Sequence, residues 1–160
     1  MVQCLIINNG SVYGYKNMTQ IARFPEDEAF VIDMDALNKY HFNFNLYNEI
    51  SKYIEFTLMA YPYKENDLID LMISGASRVV INNSLSDEML KKFFDITDEL
   101  VMRCASPMDI RKFNEFGGNM YLTCRVYDRP GLYFYYGPFY EQSERIVWLS
   151  NYPDSLKYDC

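Results

Sequence analysis

A chain of 160 residues, 49% of them apolar and with 15 Tyr and 11 Phe, has the composition and length of one globular domain that buries about two-thirds of its unfolded surface. Its formal net charge of −7 argues against nucleic acid and anionic membranes as partners, since both select basic faces. No apolar run reaches the ~18 residues of a membrane span. MVQCLIINNG lacks a signal-peptide pattern, and Cys4, Cys104, Cys124 and Cys160 show no C-x-x-C spacing, so reduced thiols and a cytoplasmic location are expected.

In chain order, Gln3–Ile7 and Ser11–Tyr15 read as strands joined at Asn8-Asn9-Gly10, because Asn-Gly accepts the positive φ of a tight hairpin turn. Thr19–Glu28 is polar and reads as loop or a single turn. Ala29–Ile32 is a continuous apolar run of the kind that is buried on both faces of a parallel sheet, and it ends at Asp33-Met-Asp35. Leu46, Ile50 and Ile54 place a helix over Asn45–Ile54, followed by a strand over Phe56–Ala60. Asn66 can cap a helix bearing Leu68, Ile69, Leu71 and Met72, with Gly75 at its end. Arg78–Ile81 is a strand, and Ser84 or Ser86 caps the helix after it. A strand over Leu100–Cys104 precedes the best-marked helix, with Ser106 as cap, Pro107 at the first position, Asp109 in the first turn and Gly117-Gly118 as the stop. Tyr121–Val126 and Leu132–Tyr136 flank the turn Asp128-Arg-Pro-Gly131 as an aromatic hairpin. Arg145–Leu149 can form a last strand before a polar, loosely held tail.

Strands alternating with helices of about ten residues imply an α/β fold with a mainly parallel sheet. The chain reads as a single domain over 1–160, with a core at 29–126 and an aromatic hairpin and tail at 127–160.

FVIDMDAL, NFNLYNEISKYIE and ENDLIDLMISGASRVVINNSL, in this order and spacing, resemble the phosphoribosyl-formimino isomerase family of histidine biosynthesis, a (β/α)8-barrel group that includes the related cyclase subunit. CLIINNGSVYGYK is similar to that family's opening strand, turn and strand, and NMYLTCRVYDRPGLYFYYGPF to its fifth strand and turn. The resemblance implies a TIM-barrel-like architecture, and at 160 residues an incomplete or reduced one, since a full barrel of this type takes ~200 or more. It also implies lost isomerase chemistry. The family uses an aspartate at the ends of its first and fifth strands, where this chain has Ile6-Ile7-Asn8 and Arg125. The family's glycine-rich phosphate turns are replaced by Met59-Ala60-Tyr61-Pro62 and Asn82-Asn83-Ser84.

Asp33 and Asp35 stand where α/β sheets place ligands, and with Arg125 they are the candidate catalytic residues. Asn82, Asn83 and Ser84 precede a helix start and are candidates for holding a phosphate, although Asp87 and Glu88 in that first turn oppose an anion. Arg103 is a candidate clamp or ion-pair partner. His41 has no orienting partner in its spacing, and no metal set or cofactor is expected. Tyr133, Phe134, Tyr135, Tyr136 and Phe139 either cover the sheet within the chain or form a surface for a second copy or a protein partner. The functional expectation is a barrel-derived binding or interaction protein without isomerase activity. The alternative is an enzyme or binding protein for a small phosphorylated sugar or nucleotide.

Overall fold

In the computed structural model, which describes residues 1–138 and 143–157, the short apolar runs become strands. These are β1 (Val2–Asn8), β2 (Ser11–Val12), β3 (Glu28–Asp33), β4 (Glu55–Met59), β5 (Arg78–Ile81), β6 (Leu100–Arg103), β7 (Met120–Thr123), β8 (Leu132–Tyr135) and β9 (Ile146–Ser150). Neighbours run β2-β1-β3-β4-β5-β6-β7-β8-β9, and β9 pairs back onto β1. Apart from the antiparallel β2, every pairing is parallel. The sheet is therefore a closed eight-stranded parallel barrel, not the incomplete arc expected from the chain length.

The barrel closes in so few residues because its crossovers are economical. The helices α1 (Met34–Lys39) and α2 (Phe44–Ser51) connect β3 to β4, and α3 (Glu65–Ile73), α4 (Asp87–Ile96) and α5 (Pro107–Glu115) serve the next three connections. From β1 to β3 the chain uses only β2 and a 3-10 turn at Met18–Arg23. From β7 to β8 it uses the non-helical residues 124–131. The expected hairpin around Asp128–Gly131 is thus a parallel crossover, with Tyr121 opposite Tyr133 and Thr123 opposite Tyr135.

Local sequence explains most element ends. Asn9 and Gly10 take positive φ (51° and 76°) in the β1–β2 turn. Ser86 and Ser106, not Ser84, accept the N–H groups of Met89 and Asp109 as helix caps. Lys64 rather than Asn66 precedes α3, with no side-chain cap. Gly118 has no room for a side chain, because a Cβ there would lie 2.3 Å from the Phe113 ring.

Alternation sorts the strand residues into two layers. Phe30, Met59, Val80, Val101, Leu122 and Phe134 point into the barrel. Ala29, Val31, Leu58, Val79, Met102 and Tyr121 pack outward under the helices. At the N-terminal end, Arg78 reaches across the barrel floor. Its Nη1 is 3.4 Å from Glu28 Oε1, its Nε is 3.4 Å from Glu99 Oε2 without hydrogen-bond geometry, and its guanidinium lies 5.8 Å from the Phe134 ring centre. Tyr133, Phe134, Tyr135 and Tyr136 are all buried in this single chain. They lie in the core of the chain, and Phe139 lies outside the described residues. No described helix is long and apolar enough to cross a membrane.

Phe134 is fully buried and its ring is 5.9 Å from that of Phe30. Phe134→Ala is expected to lower unfolding stability by about 3–5 kcal/mol in urea titrations. A loss under about 1 kcal/mol would show that the barrel interior is not packed around this ring.

Candidate functional site

In βα barrels chemistry is carried by side chains at the C-terminal rim of the strands. Phe30 and Ile32 of β3 point inward, so Asp33 faces the helix layer and not the mouth. There it is fully buried and saturated. It caps α1 by accepting the N–H groups of Asp35 (2.9 Å) and Ala36 (3.2 Å), and it also accepts the Asn43 amide (2.9 Å) and the Tyr47 hydroxyl. Burial, with the Asp33 carboxylate alongside, pushes the Tyr47 hydroxyl far above its ordinary pKa and keeps it a donor.

Asp35 is buried too and ties the β1–β2 turn to α1. Its carboxylate accepts the N–H of Asn9 and of Gly10 (both 2.9 Å) and the Asn43 amide (3.0 Å). The Gly10 amide, helped by Asn43 and Asn9 and opposed by burial, holds its pKa below the usual carboxylate value. Both aspartates, the candidate catalytic residues of the sequence, are thus engaged in local hydrogen bonds that fix the chain. Asn43 and Tyr47, on which the cluster depends, were not singled out in the sequence. Their link to Asp33 runs through a loop and has no fixed spacing.

The β5–β6 rim is similarly committed. The Asn83 side chain donates to Asp109 Oδ2 (2.9 Å) and accepts from Arg103 Nη1 (3.2 Å), while Asp109 also takes the Ala105 N–H (2.8 Å). Asn82 Oδ1 accepts the Ser84 N–H (3.4 Å). These contacts tie the candidate phosphate-binding residues Asn82, Asn83 and Ser84 into the rim between β5 and β6. Arg125 is exposed. The Thr123 hydroxyl bonds both the N–H and the C=O of residue 125, closing a tight turn past the end of β7. Among the described residues no hydrogen bond or ion pair joins Arg125 to either aspartate.

The mouth itself is filled by the segment after β9. Asn151 adopts φ 61°, turning the chain off the strand, and a 3-10 turn follows at Asp154–Leu156. Tyr152 and Leu156 are buried among the barrel-interior residues, contrary to the expectation of a loosely held tail. The Tyr152 ring stacks on Tyr136 with centroids 4.4 Å apart, lies 6.4 Å from Phe30, and sets its hydroxyl 3.7 Å from Met59 Sδ. Burial raises the Tyr152 pKa far above its ordinary value.

The same turn leaves a gap in the wall. β9 follows β1 only over Val2–Leu149 and Gln3–Ser150, and β2 joins β1 again only from Ile7. Beside the uncovered stretch of β1 lies a cleft of about 890 Å³, bounded by Ile6, Tyr13, Tyr15, Arg23 and Asn151 among others. Cys4 and Cys104 are free thiols whose pKa burial pushes far up, as fits small core residues. Cys124 is buried, and Cys160 lies outside the described residues.

Compared with protein-family models and with curated proteins, the chain matches none.

Asp33→Ala is expected to destabilise the fold by roughly 3 kcal/mol or more, because buried donors lose their acceptor together. A neutral or stabilising effect in urea unfolding would favour a functional carboxylate instead. For Asp35 the lowered pKa sets the sign. Its contribution is present above the ordinary carboxylate value and is lost as pH falls through the lowered one. Asp35→Asn should therefore be less stable than wild type at neutral pH and converge with it below about pH 4. A gap that stays constant down to acid pH would contradict this.

Proposed function

We propose that this chain is a reduced relative of the histidine-biosynthesis isomerase barrels that works by binding and not by turnover. The observation that carries the reading is Tyr152 stacked on Tyr136 in the barrel mouth, with its hydroxyl over Met59. A sugar-phosphate isomerase needs three things at that face: an open mouth, carboxylates aimed inward, and backbone amides free to cradle phosphate. The mouth here holds the chain's own side chains, Asp33 is bonded on the outer side of the sheet, Asp35 in α1 accepts from Asn9, Gly10 and Asn43, and Asn83 and Ser84 are already bonded. Replacing these arrangements by an acid–base pair would require a different local fold of the rim. The parallel eight-stranded barrel and the β1–β2 hairpin support kinship at the level of architecture.

The test offers the phosphoribosyl-formimino substrate of the isomerase family to the purified chain and to Tyr152→Ala, which vacates the mouth. No turnover above buffer is expected from either protein. Measurable turnover by the wild type, or its appearance on vacating the mouth, would overturn the reading and restore an enzyme that is held shut.

A further inference from the structure

The lateral cleft beside β1 is a different kind of surface from the closed mouth. At about 890 Å³ it has the volume of a small-molecule site. Its walls combine the apolar surface of Ile6 and Pro153 with the rings of Tyr13 and Tyr15. Tyr13 is 81% exposed, an aromatic ring left uncovered at the cleft edge.

Charge narrows the choice of occupant. The chain carries 22 acidic residues against 15 Lys and Arg, yet the described residues that bound the cleft include Arg23 and no Asp or Glu, the nearby Glu26 carboxylate accepting the Gln3 N–H. Arg23 is exposed and makes no ion pair among the described residues. A guanidinium presents a planar fork that matches one carboxylate bidentately. Among the described residues no second cation lines the cleft, so the match is to a monoanion and not to a phosphate dianion. The two tyrosines beside Ile6 and Pro153 suit an aromatic body, which stacks on such rings.

We propose that this cleft binds small aryl carboxylates, with Arg23 holding the carboxylate and Tyr13 and Tyr15 covering the ring. The inference rests on the reading of the chain as a binding protein, and it names the place and chemical class of the ligand. The β1 edge is available because the segment that would extend β9 turns at Asn151 into the mouth.

The experiment titrates the full chain with naphthylacetate, and separately with the neutral naphthylacetamide, while amide NMR shifts are followed. Saturable shifts confined to Gln3–Ile6, Tyr13–Tyr15 and Asn151 are expected. The neutral amide, and Arg23→Gln with the acid, should each bind roughly tenfold more weakly or worse, the loss of a charge-assisted pair. Because Arg23 is exposed and unpaired, its variant should melt with the wild type, which separates lost binding from lost fold. Absence of shifts in the cleft up to about 10 mM, where any useful affinity would show, would overturn the site. Equal binding of acid and amide, or an unaffected Arg23→Gln, would overturn the carboxylate assignment. Shifts centred instead on Tyr152 and Tyr136 would sink the closed-mouth reading as well, whereas simple absence of binding would sink only the cleft.

Discussion

A parallel barrel has to join its last strand to its first, and in this chain that seam is only two residue pairs long, Val2 with Leu149 and Gln3 with Ser150. Without it the sheet would present two open edges, each a row of unpaired backbone groups. The remaining order follows from how the chain leaves the seam. At Asn151 the backbone turns inward through a positive φ, and Tyr152 and Leu156 enter the mouth. One change of direction thus caps the top of the barrel core and exposes part of the β1 edge at the side.

That arrangement fits the economy of the whole molecule. Four to seven residues per barrel strand and, among the described residues, four helical connections leave few side chains to roof the barrel. Larger barrels leave the C-terminal face to long loops that carry chemistry. Here the face is packed with Tyr136, Tyr152 and Phe30, and the opposite end is spanned by Arg78 between Glu28 and Glu99. The polar residues that remain at the rim hold the connections in place. Asp33 and Asp35 join β1, α1 and α2 through Asn43, and Asp109 joins the β5 and β6 loops through Asn83 and Arg103.

The strand–helix rhythm from Phe30 to Ser106 was readable because each apolar run is bounded by polar or turn residues, and Ser106-Pro107 marks its helix unambiguously. Closure was not readable. A full barrel of ~200 residues spends a helix on each crossover, and nothing in Tyr13–Glu28 or Cys124–Gly131 announces a crossover without one. Asp128-Arg-Pro-Gly131 has the chemistry of a hairpin turn, so tertiary packing had to override a local signal. The outward face of Asp33 could have been counted from Phe30 and Ile32, but its ring of donors depends on a loop that brings back Asn43. The polarity of Asn151–Asp154 concealed Tyr152, whose burial is decided by the cavity it fills and not by its neighbours in sequence.

The most direct measurement is of nuclear Overhauser contacts in solution between the Tyr152 ring and the methyl group of Met59, with methionine methyls labelled. A tail that fills the mouth predicts strong contacts to Met59 and Tyr136 and ring shifts displaced by stacking. Tyr152 signals at random-coil positions with no such contacts would mean that the mouth stands open, and the account of a barrel closed by its own chain would fail.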